Sequence, residues 1–142
     1  MREKTGDEGY RLDDQVGFLL RRVNQRHLAL FTEVIPEVTT TQLAALARLA
    51  ELGPLSQNQL GRATAMDAAT IKGVVGRLVR RRLVVTVPSP EDRRRLVVDL
   101  TPEGRALFAE LAARGLEASR RTLEPLTTAE RERFLALLRK LL

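Results

Sequence analysis

Apolar residues recur at helical spacing through the first quarter of the chain. From Asp13 to about Val34, the positions Val16, Leu19, Leu20, Val23, His27, Leu30, Phe31 and Val34 follow an i, i+3, i+4, i+7 rhythm, which predicts one long amphipathic helix. Asp13 and Asp14 suit its start, where the helix dipole favours negative charge, and Pro36 ends it. A second helix is expected from Thr39 or Thr40 as N-cap, carrying Leu43, Leu46, Ala47, Leu49 and Ala50 up to the Gly53-Pro54 stop. Ser56 caps a short third helix, with Gln59 three residues on to complete a capping box and Leu60 and Ala63 as its buried residues. After the brief turn Thr64-Ala65-Met66, Asp67 caps a fourth helix from about Ala68 to Arg81, with the apolar stripe Ile71, Val74, Val75 and Leu78.

The rhythm then changes. Leu83–Val87 and Arg95–Leu100 are strand-length, and the first is rich in β-branched residues; the Pro-containing charged segment 88–94 between them reads as a hairpin tip. Thr101 and Pro102 restart a helix as N-cap and first helical residue, and it carries Leu107, Phe108, Leu111, Ala112 and Gly115 to about Leu123. Glu124-Pro125-Leu126 breaks it, and Thr127 with Glu130 caps a last helix whose stripe is Phe134, Leu137, Leu138 and Leu141. The polar residues 1–12 are expected to be a flexible segment. The fold class is therefore mainly α with a small β-wing.

Charge sharpens this picture. The chain of 142 residues carries a net charge of +6, which favours an anionic partner. Between Pro54 and Leu100 there are nine basic residues against four acidic ones, so that block holds almost the whole surplus. With no cysteine, disulfides, thiolate metal sites, cysteine nucleophiles and thiol switches are excluded. The single histidine, His27, leaves no His-rich metal site, and no metal or cofactor is expected. No apolar run approaches the ~20 residues of a membrane span and the amino-terminal residues lack a signal-peptide core, so a cytoplasmic protein is expected. No Gly-rich phosphate loop or nucleophile elbow is present, and Asp13 and Asp14 lie too far along the same helix to orient His27, so catalysis is not expected.

Helix, turn, helix and two-stranded hairpin is the order of a winged helix-turn-helix, whose second helix enters the major groove while the hairpin tip reaches a flanking minor groove. Opposite the apolar stripe of the fourth helix lie Ala69, Gly73, Gly76 and Arg80, flanked by Ala68, Thr70, Lys72 and Arg77. Small residues allow close approach to a groove. Lys72, Arg77 and Arg80 can then reach bases or phosphates, and Ala69 or Thr70 can touch a thymine methyl. A run of basic residues on a helix is also what an ordinary solvated face carries. The wing shifts the balance: Arg93, Arg94 and Arg95 crowd one tip, where like charges repel unless an anion is near, and Asp92 is placed to pair with one of them. Ser56, Gln57 and Asn58 at the start of the third helix can supplement its free N–H groups toward a phosphate, although for Ser56 alone simple capping is the better account.

The segments Leu55-Ser56-Gln57-Asn58-Gln59-Leu60, Asp67 through Leu83, Pro90-Glu91-Asp92-Arg93-Arg94 and Leu100-Thr101-Pro102-Glu103-Gly104 together resemble the MarR family of bacterial regulators. The resemblance runs from about Asp13 to the carboxyl terminus, and the D-R-R wing followed by L-T-x-x-G is its most specific part. It implies an obligate homodimer, with residues 13–36 and 102–142 as the dimerisation region and residues 37–101 as the DNA-binding lobe. It also implies pseudo-palindromic operator DNA as partner, and regulation, commonly repression, relieved by a small aromatic anion or acyl thioester. Arg82 departs from the pattern, since the family often has glycine there to close the helix in a left-handed conformation. The redox-sensing branches are ruled out by the missing cysteine. For an effector, His27 with Arg22 and Arg26 on the first helix suits an aromatic carboxylate, and Tyr10 and Arg11 are placed to fold over as a lid. The same histidine is as readily a satisfied core residue, and arginines so placed are more often interface or surface charges. A winged-helix module that contacts RNA or protein, without an effector, would share the basic block.

Overall fold

The computed structural model describes residues 9–142, so most of the amino-terminal segment expected to be flexible lies outside the described residues. A single 3-10 turn at Leu12–Asp14 precedes α1 (Val16–Val34), α2 (Thr40–Leu52), α3 (Gln57–Ala63), α4 (Ala68–Arg80), β1 (Val84–Pro88), β2 (Leu96–Leu100), α5 (Pro102–Thr122) and α6 (Thr128–Lys140). The first α-helix therefore begins later than the periodicity predicts. Asp13 and Asp14 belong to the 3-10 turn, and Gln15, extended and without a side-chain cap, separates it from α1.

Local chemistry sets the helix starts. Thr39, Ser56 and Thr127 each close a reciprocal capping box, with Gln42, Gln59 and Glu130 respectively, while Asp67 and Thr101 accept the N–H of Thr70 and Gly104. A cap of this kind is worth about 1 kcal/mol. The core then selects faces. Ile71, Val74, Val75 and Leu78 of α4 are all buried, as the stripe predicts, together with Leu46 and Leu49 of α2, Leu60 of α3 and Leu111 of α5. On α3 the second buried residue is Gly61 rather than Ala63, because a Cβ at Gly61 would lie 3.1 Å from Ile71 Cγ2 and 3.2 Å from the Met66 carbonyl oxygen. A side chain there would require Ile71 or the Met66 peptide to give by a few tenths of an ångström.

Two helix ends hold the left-handed non-glycine residues found among the described residues. At the end of α3, Met66 N–H bonds to Gly61 O (2.8 Å) and Ala65 N–H to Arg62 O (3.2 Å). At the end of α4, Leu83 N–H bonds to Leu78 O (3.0 Å) and Arg82 N–H to Val79 O (2.9 Å). Both are Schellman motifs, which need a left-handed residue at the pivot. The pivots are Ala65 (φ 56°) and Arg82 (φ 60°). The missing glycine at position 82 thus leaves the geometry unchanged, and the arginine adopts the left-handed conformation.

β1 and β2 pair antiparallel from Val84↔Leu100 to Pro88↔Leu96, one residue later at each start than expected. The base of this wing is tied twice. Val98 exchanges two backbone hydrogen bonds with Leu55, just before α3 (2.7 and 3.1 Å). At the other side Thr101 donates its N–H to Leu83 O (3.1 Å) and its hydroxyl to Arg82 O (2.7 Å). Gly104 follows so closely that a Cβ there would sit 1.9 Å from Leu83 O, which accounts for the glycine of the L-T-x-x-G motif.

α1 packs along α5, and α5 continues onto α2. By contrast α6 buries no residue, and the first half of the α1 stripe is open: Val16, Leu19, Leu20 and Val23 are exposed, as are Leu135 and Leu137 on α6 and Leu141 at its C-cap.

Candidate nucleic-acid interface and effector cavity

On α4, the face opposite the buried stripe is open to solvent. Ala68, Ala69, Thr70, Lys72, Arg77 and Arg80 are exposed and Gly73 is half-buried. The Arg77 guanidinium folds back along the helix, with Nη1 3.2 Å from where a Gly73 Cβ would be. Lys72, Arg77 and Arg80 form no ion pair among the described residues, whereas Arg114, Arg120 and Arg121 on α5 are matched by Glu37, Glu117 and Glu33. The three α4 cations thus have no carboxylate partner among the described residues, whereas these three arginines of α5 do. Asp67, at the tip of α4, has its carboxyl held below the usual aspartate range by the backbone N–H of Thr70, so it remains a charged cap.

In the wing, Asp92 organises two arginines rather than one. Its Oδ1 accepts from Arg94 N–H (3.1 Å) and Arg94 Nε (3.3 Å), and Oδ2 lies 3.9 Å from Arg95 Nε. Arg93 is exposed and has no carboxylate partner among the described residues. At the start of α3, the Ser56 hydroxyl accepts the Gln59 N–H (3.1 Å) and the Gln59 side chain accepts the Ser56 N–H (2.9 Å), so Ser56 is committed to capping. Gln57 is half-buried, and Asn58 is exposed beside it.

The residues singled out on the first helix do not gather in one place. Arg26 donates to the carbonyl oxygens of Thr122 and Arg121 (3.1 Å to the latter) in the last turn of α5. Arg22 lies over the Phe18 ring at 5.9 Å. Tyr10 is exposed, and Arg11 stands 3.9 Å from Asp14. Only His27 borders a cavity, and it borders two. One, of about 460 Å³, lies between α1, α2 and α5 and is lined by Phe31, Leu43, Ala47, Phe108 and Ser119 among others. The second, of about 390 Å³, lies between α1, α5 and α6, with Leu20, Val23, Thr122 and Phe134 in its wall. His27 Nδ1 is 2.7 Å from Thr122 Oγ1, and its ring meets Phe31 at 6.2 Å between centroids.

Sequence reasoning missed the α5 wall of the first cavity. Ala112, Gly115 and Ser119 recur about once per turn on one face of α5, next to Phe108, and leave the space the cavity fills. That run of small residues on an otherwise apolar helix face was the available signal.

The MarR family model matches residues 37–95, which is the segment from the start of α2 to the wing tip. The HTH-type transcriptional repressor NicR of Pseudomonas putida is 42% identical over 135 residues, covering 94% of this chain and 85% of its own length. A probable transcriptional regulator from Pseudomonas aeruginosa superposes with a TM-score of 0.88 at 53% identity, over 93% of this chain and 100% of its own. BpsR of Bordetella bronchiseptica, solved in a study of how 6-hydroxynicotinic acid regulates its DNA binding, gives a TM-score of 0.88 at 41% identity, over 93% and 96% of the two chains. The chain belongs to the MarR family of winged helix-turn-helix DNA-binding proteins, and is a transcription regulator rather than an enzyme.

Proposed function

We propose that this chain is a homodimeric cytoplasmic repressor that binds pseudo-palindromic operator DNA and releases it when a small aromatic acid, free or as its acyl thioester, occupies the cavity beneath α1. The observation that carries the reading is the segregation of surface chemistry. Cations without a carboxylate partner among the described residues occupy α4 and, as Arg93, the wing tip, and uncovered leucines and valines occupy α1 and α6. Free positive charge on a groove-sized helix suits phosphate and base contact. A leucine-bearing helix with no buried residue suits a second copy of itself, since an apolar stripe of this size is rarely left in water.

In this reading residues 37–101 form the DNA-binding lobe, with α4 in the major groove and Arg93, Arg94 and Arg95 at the minor groove. Ser56, Gln57, Asn58, Ala68, Ala69, Thr70, Lys72, Gly73, Arg77 and Arg80 face the duplex. Residues 13–36 and 102–142 form the dimer scaffold, which places two α4 helices one DNA turn apart, about 34–36 Å. The cavity lies at the seam between scaffold and lobe, with His27 as its polar contact from α1, while Arg22, Arg26, Tyr10 and Arg11 lie outside its lining. The naming of 6-hydroxynicotinic acid as the regulator of BpsR supports an aromatic acid as the class.

The test is a gel shift on the DNA upstream of the protein's own gene, over a salt series, with and without aromatic acids. Selective retardation with a steep salt slope, reversed by an acid, is the expected result. Equal affinity for random duplex would reject operator recognition and favour the RNA or protein module. Undiminished retardation at millimolar acid and thioester would reject the effector.

A further inference from the structure

The turn between α3 and α4 is held from outside. A helix leaves its last four carbonyl oxygens without partners inside itself. In α3 three of them are met within the turn: Leu60 O by Thr64 N–H (3.0 Å), Gly61 O by Met66 N–H (2.8 Å) and Arg62 O by Ala65 N–H (3.2 Å). The fourth, Ala63 O, receives no backbone N–H among the described residues, and Arg48 of α2 donates its Nε–H to it at 2.7 Å. Glu51, one turn further along α2, accepts from Nη1 of the same guanidinium at 3.0 Å. The planar fork is therefore fixed on two sides, its charge matched by a carboxylate and Nε directed at the turn. Two residues beyond Ala63 stands Ala65, the pivot at φ 56°, a conformation that alanine keeps only where its surroundings over-determine it. Asp67, the cap of α4, follows two residues later. The Arg48 bond thus anchors the segment that sets how α4 leaves α3. As an exposed ion pair alone, Arg48 and Glu51 would add little, and an arginine kept for phosphate would gain nothing from a carboxylate beside it.

We propose that Arg48 is a positioning residue for DNA recognition: without touching the duplex, it braces the α3–α4 turn against α2 and so fixes the direction in which α4 meets base edges. This rests on the reading of α4 as the recognition helix. A misaimed α4 loses base readout, which needs its side chains in register. It keeps the non-specific attraction, which depends on charge.

Two substitutions separate the bond from the charge. In glutamine, Nε2 stands the same number of bonds from Cα as Nε in arginine, so Arg48→Gln keeps a donor for Ala63 O and removes the charge. Lysine keeps the charge but carries its donor one bond further out, with carbon where Nε was, and Arg48→Met removes both. A preferred duplex is selected from a random-sequence pool with the full-length wild type. Its affinity and that of a scrambled duplex are then measured over a salt series for wild type, R48Q, R48K and R48M, alongside the urea midpoint of each. The preference for selected over scrambled duplex should fall about tenfold in R48M and about fivefold in R48K, and stay within about twofold of wild type in R48Q. The salt slope on scrambled duplex should be the same for all four. A wild-type preference in R48K overturns the proposal, and so does a loss in R48Q equal to that in R48K. A slope smaller by about one in R48Q overturns it too, and makes Arg48 a phosphate contact. A pool from which wild type enriches no sequence overturns the reading of α4 and the strut together, whereas enrichment with an unaffected R48K overturns the strut alone. Should R48M fold poorly, R48Q and R48K still decide, because only one of them keeps the donor in place.

Discussion

Gly104→Ala puts the joint between wing and scaffold to a quantitative test. Alanine favours a helix by about 1 kcal/mol over glycine, so propensity alone forecasts a more stable protein. The packing forecasts the opposite. The new Cβ would lie 1.9 Å from Leu83 O, 2.9 Å from its carbonyl carbon and 3.3 Å from its Cα. A carbon–oxygen contact needs about 3.3 Å, so α5 and the Leu83 peptide must separate by about 1.4 Å. The obstacle is backbone, and no rotamer relieves it. Separation stretches the Thr101 N–H bond to Leu83 O (3.1 Å) and the Thr101 hydroxyl bond to Arg82 O (2.7 Å). Two hydrogen bonds at about 1 kcal/mol each, and about 1–3 kcal/mol of overpacking, outweigh the propensity gain and leave a net loss of about 2–4 kcal/mol. Urea unfolding at one fixed protein concentration reads this as a lower midpoint with an unchanged slope. A variant within 0.5 kcal/mol of wild type, a band on the order of an ordinary surface change, would refute the reasoning.

Other predictions follow from neighbouring features. Arg82→Gly removes the cost of a left-handed non-glycine residue, partly offset by a freer unfolded chain, and should raise stability by roughly 0.5–1 kcal/mol in the same titration; a loss would mean that the arginine side chain holds the turn. Arg94→Ala should weaken operator binding and flatten its salt dependence with the melting temperature unchanged, because its side chain is 92% exposed and held only by Asp92; equal affinity of mutant and wild type would remove the wing from the interface. Arg77→Ala should lower affinity and relax sequence preference by ~1–3 kcal/mol if the guanidinium reads a base, and a loss uniform over all sequences would assign it to phosphate. Acid should destabilise the protein through a defined set of carboxylates. Arg114 draws Glu37, the Thr127 N-cap draws Glu130 and the Thr70 N–H draws Asp67 below their ordinary values of 4.5, 4.5 and 3.8. Lowered folded values mean that this stability is complete above the ordinary values and is lost as pH falls through the lowered ones. Glu37→Gln should therefore shift the acid-unfolding midpoint less steeply with pH than wild type, and an identical pH profile would count against the Arg114 contact.

Much of the fold is legible because its signals are local. Capping boxes at Ser56 and Thr127, the Asp67 cap and the stripe of α4 depend on residues within one or two turns of each other. Charge placement is legible for the same reason, since a run of arginines needs no partner to be seen. What escaped is contact between distant segments. Arg26 lies 95 and 96 residues from its partners on α5, and nothing near it in sequence says that it is committed there rather than to a ligand. Arg22 and Arg26 share a helix face by spacing, yet one rests on Phe18 and the other on the end of α5. Gly104 shows the same limit. Its motif is visible in sequence, but the reason for glycine is the Leu83 carbonyl some twenty residues earlier.

The pair of backbone bonds between Leu55 and Val98 has a consequence for the operator. It stitches the wing to the residue that leads into α3, so wing and helix pair are joined through backbone hydrogen bonds. On the operator reading proposed above, they act as one calliper, and the distance from the helix jaw to the arginine tip becomes a gauge that a half-site must match. Insertions inside a half-site should be intolerable, while a changed spacer between half-sites can be met by adjusting how two callipers are mounted on the scaffold.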